Sequence, residues 1–237
     1  MEHVRFDLGG EGSVGFRYAL LERVRRLADR HGVIRYGFRI DRALTLLVDG
    51  RTDRITRLLH GIKTGTARAE GVPGLLGRTE RLWYEPAALP SLLVQLHRAE
   101  RPLHGLWSSH RELMGVRDAG FVDRSVWIGR VDPLLVHLRA GGGPLPVGVP
   151  LPLAPRALRA QRTHIDRCLR VAAATKGVLP GDRRAMRLYA HLGRATATPQ
   201  VALADAVLLS PRRIRQLQRQ SEPSLGAARR AMALTAP

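Results

Sequence analysis

Between Gly141 and Pro155 the chain runs through three consecutive glycines and then prolines at 144, 146, 150, 152 and 155. Proline lacks an amide donor and fixes φ, and glycine loses the most backbone freedom on ordering, so neither a helix nor a central strand is sustained there. The 237 residues are therefore expected to divide into a domain over 1–140, a linker over 141–156 and a second domain over 157–237. Leu and Val interleaved in the linker suit partial packing on a surface.

In the first part, Leu20, Leu21, Val24, Leu27 and Ala28 recur at helical spacing within Arg17 to His31, and Gly32 supplies a stop. The period then changes to two. Ile34, Tyr36, Phe38 and Ile40 alternate with Arg35, Gly37, Arg39 and Asp41, which predicts a strand with one buried face. Leu44, Leu46 and Val48 predict a second strand ending at a turn on Asp49-Gly50. Thr52 is expected to cap a helix with an Ile55, Leu58, Leu59, Ile62 stripe. With a first strand at Val4 to Phe6, a last one at Arg78 to Tyr84 and a helix on Leu89, Leu92, Leu93 and Leu96, the class is α+β. The order is the ferredoxin-like split βαββαβ pattern.

Lys and Arg number 39 against 20 Asp and Glu, a formal charge of +19, which points to a polyanionic partner. The charge is spread through folded-looking segments instead of a juxtamembrane run, so nucleic acid is favoured over a membrane. No stretch reaches the roughly 18 apolar residues of a span, and no leader-like run opens the chain, so a cytoplasmic location is expected. Cys168 is the only cysteine, which rules out an intrachain disulfide and a cysteine-based zinc site.

Three segments carry a family resemblance. Trp107-Ser108-Ser109-His110 followed by Met114-Gly115, Gln95-Leu96-His97-Arg98, and Gly77-Arg78-Thr79 with Leu82-Trp83 resemble, in order, signature pieces of the REP-associated tyrosine transposases, over about residues 3 to 127. The resemblance implies a ferredoxin-like fold of the HUH class, acting on single-stranded DNA in bacterial mobile elements. Such enzymes use two histidines two apart on a strand to hold Mg or Mn at the scissile phosphate, and a helical tyrosine as the nucleophile.

The matching positions here hold Ala43 and Thr45, and Thr66 stands about where the tyrosine is expected. None of the nine histidines forms a His-x-His pair. Tyr18, Tyr36, Tyr84 and Tyr189 are better read as packing residues, and His60 alone is a poor ligand for a hard cation. No catalytic residue, metal or cofactor is assigned. Lys63, Arg68, Arg78, Arg81 and Arg111 lie in or beside the resembling segments and can neutralise phosphates of single-stranded or hairpin DNA, while Trp83 and Trp107 are candidates for base stacking or for core anchors.

Residues 157–237 keep the excess, with fifteen Lys and Arg against four acids. Gln200 to Leu217 reads as a helix-turn-helix. Leu203, Val207, Ile214 and Leu217 pack two short helices, Ala204 allows close approach, and Ser210-Pro211 starts the second helix. Arg212, Arg213, Arg215, Gln216 and Arg219 then project outward as base and phosphate contacts, with guanidinium donors for guanine and amide contacts for adenine, and Ser210 is counted with them among the candidate DNA-binding residues. Asp182 to Gly193 is the supporting helix. Leu208 departs from the glycine common in such a turn.

The expected function is DNA binding by a transposase-derived protein without strand cleavage, a degenerate transposase or a regulator. The competing readings are an active single-strand transposase with displaced residues and a basic RNA-binding protein. Target and oligomeric state stay open.

Overall fold

The computed structural model describes residues 1–9, 13–70, 74–98, 107–117, 119–142, 151–221 and 223–234. The chain is α+β and divides into two compact units, Met1–Met114 with Gly120–Pro144, and Gly115–Ala119 with Leu145–Pro237. Most of the Gly/Pro segment expected as a linker, residues 143–150, lies outside the described residues; 151–155 have no regular structure. Among the described residues no helix is long and apolar enough to cross a membrane.

The first unit runs β1 (Glu2–Leu8), α1 (Val14–His31), β2 (Ile34–Ile40), β3 (Ala43–Asp49), α2 (Thr52–Glu70), β4 (Leu76–Trp83), α3 (Leu89–His97), α4 (His110–Leu113) and α5 (Pro133–Arg139). The strands form one sheet in the order β2-β3-β1-β4, every neighbouring pair antiparallel. Helix α1 starts where the Ser13 hydroxyl accepts the Phe16 amide at 3.1 Å and ends on Gly32, whose φ of 61° a residue with a Cβ adopts reluctantly. The expected cap at Thr52 is corrected: Thr52 is already helical, and the Arg51 carbonyl accepts the Ile55 amide at 3.0 Å.

Register fixes the two faces of the sheet. Val4 lies opposite Leu46 and Phe6 opposite Leu44, all nearly inaccessible, and this face is covered by α1 and α2. Leu20, Leu21 and Val24 from α1 and Ile55, Leu58 and Ile62 from α2 complete that core. Truncating one of them to alanine removes about 2–5 kcal/mol. On the other face lie His3, Arg5 and Asp7 of β1, with Ala43, Thr45 and Leu47 opposite them on β3.

The expectation of a single buried face on β2 is overturned. Arg35 is 7% exposed and Gly37 is buried, whereas Ile34 is 37% exposed. A bulge between Arg35 and Gly37 shifts the alternation. Helix α3 then closes on the second face so tightly that a Cβ on Gly37 would come within 2.9 Å of Leu96 Cδ2 and 3.0 Å of Leu93 Cδ2. The buried Arg35 guanidinium is compensated by Asp29 at 2.9 Å and Asp123 at 3.0 Å.

The second unit is helical: α6 (Leu158–Lys176), α7 (Arg183–Ala195), α8 (Gln200–Asp205), α9 (Pro211–Arg219) and α10 (Gly226–Leu234). α6 packs on α7 and α10, and α7, α8 and α9 pack on one another.

Candidate nucleic-acid interface

The α7–α8–α9 group is held by a few specific contacts. A Cβ on Gly193 of α7 would fall 2.3 Å from Leu203 Cδ1 of α8, so glycine is what lets the two helices touch. The buried Tyr189 hydroxyl donates to the Leu203 carbonyl at 2.9 Å, and burial pushes its pKa far above the ordinary phenol value. Gln218, 9% exposed, donates from Nε2 to the Ala190 carbonyl at 3.0 Å and accepts the Gln200 amide at 3.2 Å, tying α9 to both neighbours. Leu203, Ala204, Ile214 and Leu217 are buried as expected; Val207 is only half-buried.

Helix α9 begins on the Ser210 hydroxyl, which accepts the Arg213 amide at 3.2 Å, with Pro211 in its first turn. The turn before it contains Leu208 at φ 53°, 94% exposed, in the left-handed region where glycine was missed in the sequence. With Ile214, Leu217 and Gln218 facing inward, Arg212, Arg213, Arg215, Gln216 and Arg219 are all exposed. Among the described residues none of these four arginines pairs with a carboxylate; Arg213 Nη1 donates to Gln216 Oε1 at 2.5 Å. Among the described residues the outer face of α9 is thus a row of cations without a carboxylate partner, set on the packed α7–α8–α9 group.

In the first unit, the positions compared with a catalytic centre do not converge. Ala43 and Thr45 lie on the sheet face away from α1 and α2. Thr66 is fully buried on α2, its hydroxyl taking a hydrogen bond from Arg23 Nη1 of α1 at 2.8 Å, so it belongs to the opposite layer.

A divalent ion does not fit the donors at this place. Ala43 has none and Thr45 a neutral hydroxyl, and the residues in register on either side of Thr45, Arg5 on β1 and Arg39 on β2, carry no acceptor that could serve as a ligand. Among the described residues no three His, Cys, Asp or Glu side chains gather as a metal site. Tyr84, whose ring meets His3 edge-on at 6.4 Å, is the tyrosine beside this face; Tyr18 packs on Trp107, and Tyr36 and Tyr189 are buried.

What Ala43 and Thr45 line instead is an open cleft of about 440 Å³, bordered by His3, Arg5, Arg39, Asp41, Arg42 and Gln95. Arg5 contacts Asp7 at 3.4 Å, and Arg39 contacts Asp41 at 3.0 Å. Burial, with Arg5 alongside, lowers the His3 pKa. The cations expected to meet phosphate are placed elsewhere. Arg68 and Arg78 are exposed, with Glu80 3.8 Å from Arg78. Arg81 is held by Glu2 at 2.8 Å, and Lys63 is half-buried, its Nζ 5.9 Å from the centre of the Phe6 ring on the α1/α2 side. Arg111 is a correction: it is 7% exposed, because all four residues of α4 are buried, and so cannot meet a phosphate at the surface.

The Trp-Ser-Ser-His stretch has a structural role. The Trp107 carbonyl accepts the Ile40 amide at 2.7 Å and the Ser109 amide donates to the Phe38 carbonyl at 2.9 Å, so the stretch lies along the outer edge of β2. Trp107 is 8% exposed, an anchor against Tyr18, whereas Trp83 is 68% exposed. Behind it, His97 stacks on His110 at 4.9 Å between ring centres, and His110 Nε2 is 3.0 Å from His137 Nδ1, joining α3, α4 and α5 through three buried imidazoles. Burial first, then His137 and Arg111, lower the His110 pKa to about 3; burial and the neighbouring His110 and Arg39 also lower that of His97.

The α9 residues named from the sequence are exposed on one face, as expected; Arg5, Arg39 and Arg42, which line the cleft, were not named, and a period-two reading of His3, Arg5 and Asp7 was the available signal for the first of them. Comparison of the chain with protein-family models, with curated proteins and with solved structures finds no match.

Proposed function

We propose that this chain is a DNA-binding protein that grips duplex DNA with a helix-turn-helix formed by α7, α8 and α9, α9 entering the major groove. The observation that carries the proposal is the exposed, acid-free face of α9, built on Ser210 and Pro211 and backed by buried Ile214 and Leu217. Guanidinium groups at such a position neutralise phosphates and donate to base edges.

The first unit is read as a ferredoxin-like domain descended from the REP-associated tyrosine transposases. Its β1-α1-β2-β3-α2-β4 order and β2-β3-β1-β4 sheet support that reading. Ala43, Thr45 and Thr66 supply neither metal ligands nor a phenol, so the proposed role is that of a degenerate transposase or regulator that binds without cutting. The cleft bordered by Arg5, Arg39 and Arg42 favours a contact of the first unit with single-stranded or hairpin DNA.

The test is fluorescence anisotropy with a labelled random duplex at fixed salt. Wild type and a variant carrying Arg212→Ala, Arg213→Ala, Arg215→Ala and Arg219→Ala are compared, with hairpin DNA and RNA as competitors. Binding weakened at least about tenfold by the variant is the expected result. Equal duplex affinity of the two proteins, or preferential competition by RNA, refutes the proposal.

A further inference from the structure

Resting on the helix-turn-helix reading, we infer that Leu208 is a base-contacting residue, an apolar side chain held out before the start of α9 to pack on the methyl group of a thymine in the major groove. The turn that carries it is a hydrogen-bonded stop for α8: the Leu209 amide donates to the Ala204 carbonyl at 3.0 Å, and the Leu208 amide to the Asp205 carbonyl at 3.3 Å. Such a pair of bonds goes with a left-handed residue at the position of Leu208, whose φ is 53°.

Other helices of the chain end on the same pair of bonds. α1 stops on Gly32, α5 on Gly141 and α6 on Gly177, and α7 stops on Ala197, whose side chain is a single methyl group. Among the described residues only the turn into α9 puts a large side chain at this position. The leucine does nothing for the fold there: it is 94% exposed, so it buries no apolar area to offset the strain of its backbone. An exposed leucine alone is ordinary, but one held in a conformation that favours glycine points to a contact made outside the chain.

Position in the chain supplies the partner. Leu208 stands two residues before Ser210, on which α9 begins, and a recognition helix meets base edges with its N-terminal residues. The exposed Arg212 and Arg213 of the first turn bring a polyanion to the same end of the helix. A leucine side chain makes no hydrogen bond, and the only apolar group on any major-groove base edge is the methyl of thymine.

The experiment is selection of duplexes from a random pool by the full chain, followed by affinity measurements on the selected site with each thymidine replaced in turn by deoxyuridine, which lacks only the methyl group. Wild type is expected to enrich thymine at one position and to lose about fourfold in affinity when that one methyl is removed. Leu208→Ala, which keeps the turn, is expected to bind the site about fourfold or more weakly and to be indifferent to the same deoxyuridine, as a direct pair requires. Leu208→Gly is expected to bind as weakly as Leu208→Ala while melting at a higher temperature, which separates a lost contact from a lost fold. Wild-type affinity unchanged by every deoxyuridine, Leu208→Ala affinity equal to that of wild type, or a Leu208→Ala protein that still loses fourfold on the same deoxyuridine overturns the inference. The helix-turn-helix reading then stands if the four-arginine variant still binds duplex more weakly than wild type. Equal duplex affinity of wild type and that variant overturns both.

Discussion

Leu208 is the sharpest local test of the α8–α9 turn. Its φ of 53° places it in the left-handed region, where a Cβ crowds the following carbonyl, and its side chain is 94% exposed. For an L-residue with a Cβ this conformation costs about 1–2 kcal/mol. Leu208→Gly removes that strain and forfeits almost no buried area. Against it stands the greater freedom of glycine in the unfolded chain, about 0.5–1 kcal/mol. The balance is a gain of about 0.5–1 kcal/mol, which for a helical unit of this size raises Tm by roughly 2–8 °C. Leu208→Ala keeps the strained φ and is expected to change stability by under about 0.5 kcal/mol. Thermal melts followed by circular dichroism at 222 nm, with urea titrations for the free energies, compare the two variants with wild type. A Leu208→Gly protein less stable than Leu208→Ala refutes the reasoning, since it means that the turn is not left-handed at this residue or that the leucine makes a contact that its exposure denies.

The same measurements check three other features. Gly193→Ala drives a Cβ to 2.3 Å from Leu203 Cδ1, and about 1–3 kcal/mol of overpacking outweighs the roughly 1 kcal/mol of helix propensity that alanine adds, so Tm falls. Unchanged or higher stability contradicts the close approach of α7 and α8. The buried His97 and His110 have folded-state pKa values below the unfolded 6.5, so the neutral forms are favoured in the native state. Their stabilisation is complete above pH 6.5 and is lost as pH falls towards the folded values, about 3 for His110, at about 1.4 kcal/mol per pH unit for one imidazole. Urea titrations between pH 7 and 4.5 read this slope, and a His110→Gln variant with an identical slope refutes it. Finally, Arg215→Ala and Arg219→Ala each reduce the slope of log K against log salt by about 0.9 on duplex DNA if each guanidinium meets one phosphate; an unchanged slope places those residues off the backbone.

Local patterns carried much of the fold. Alternation predicted β2 and β3, the Leu20 to Ala28 stripe predicted α1, and Gly32 its end, because each signal sits within one element. What was not legible depended on partners distant in sequence. Gly37 looks like a weak strand residue until α3, more than fifty positions later, closes on it, and Arg35 looks solvent-facing until Asp29 and Asp123 pair with it. Arg111 was read as a surface cation because nothing local announces that α4 is buried.

The candidate sites divide in the same way. On α9 the apolar Ile214 and Leu217 define the inward direction, so the outward arginines follow from spacing alone. The cleft draws Arg5, Arg39 and Arg42 from β1, β2 and the β2–β3 turn, and only the register of β1 against β3 brings them together.

The claim that α9 carries the binding is tested most directly by hydrogen–deuterium exchange of the full chain with and without a saturating selected duplex. The account predicts added protection over residues 200–219, strongest at the start of α9, and its disappearance in the four-arginine variant. Duplex-dependent protection confined to the first unit, with α8 and α9 unchanged, would contradict it.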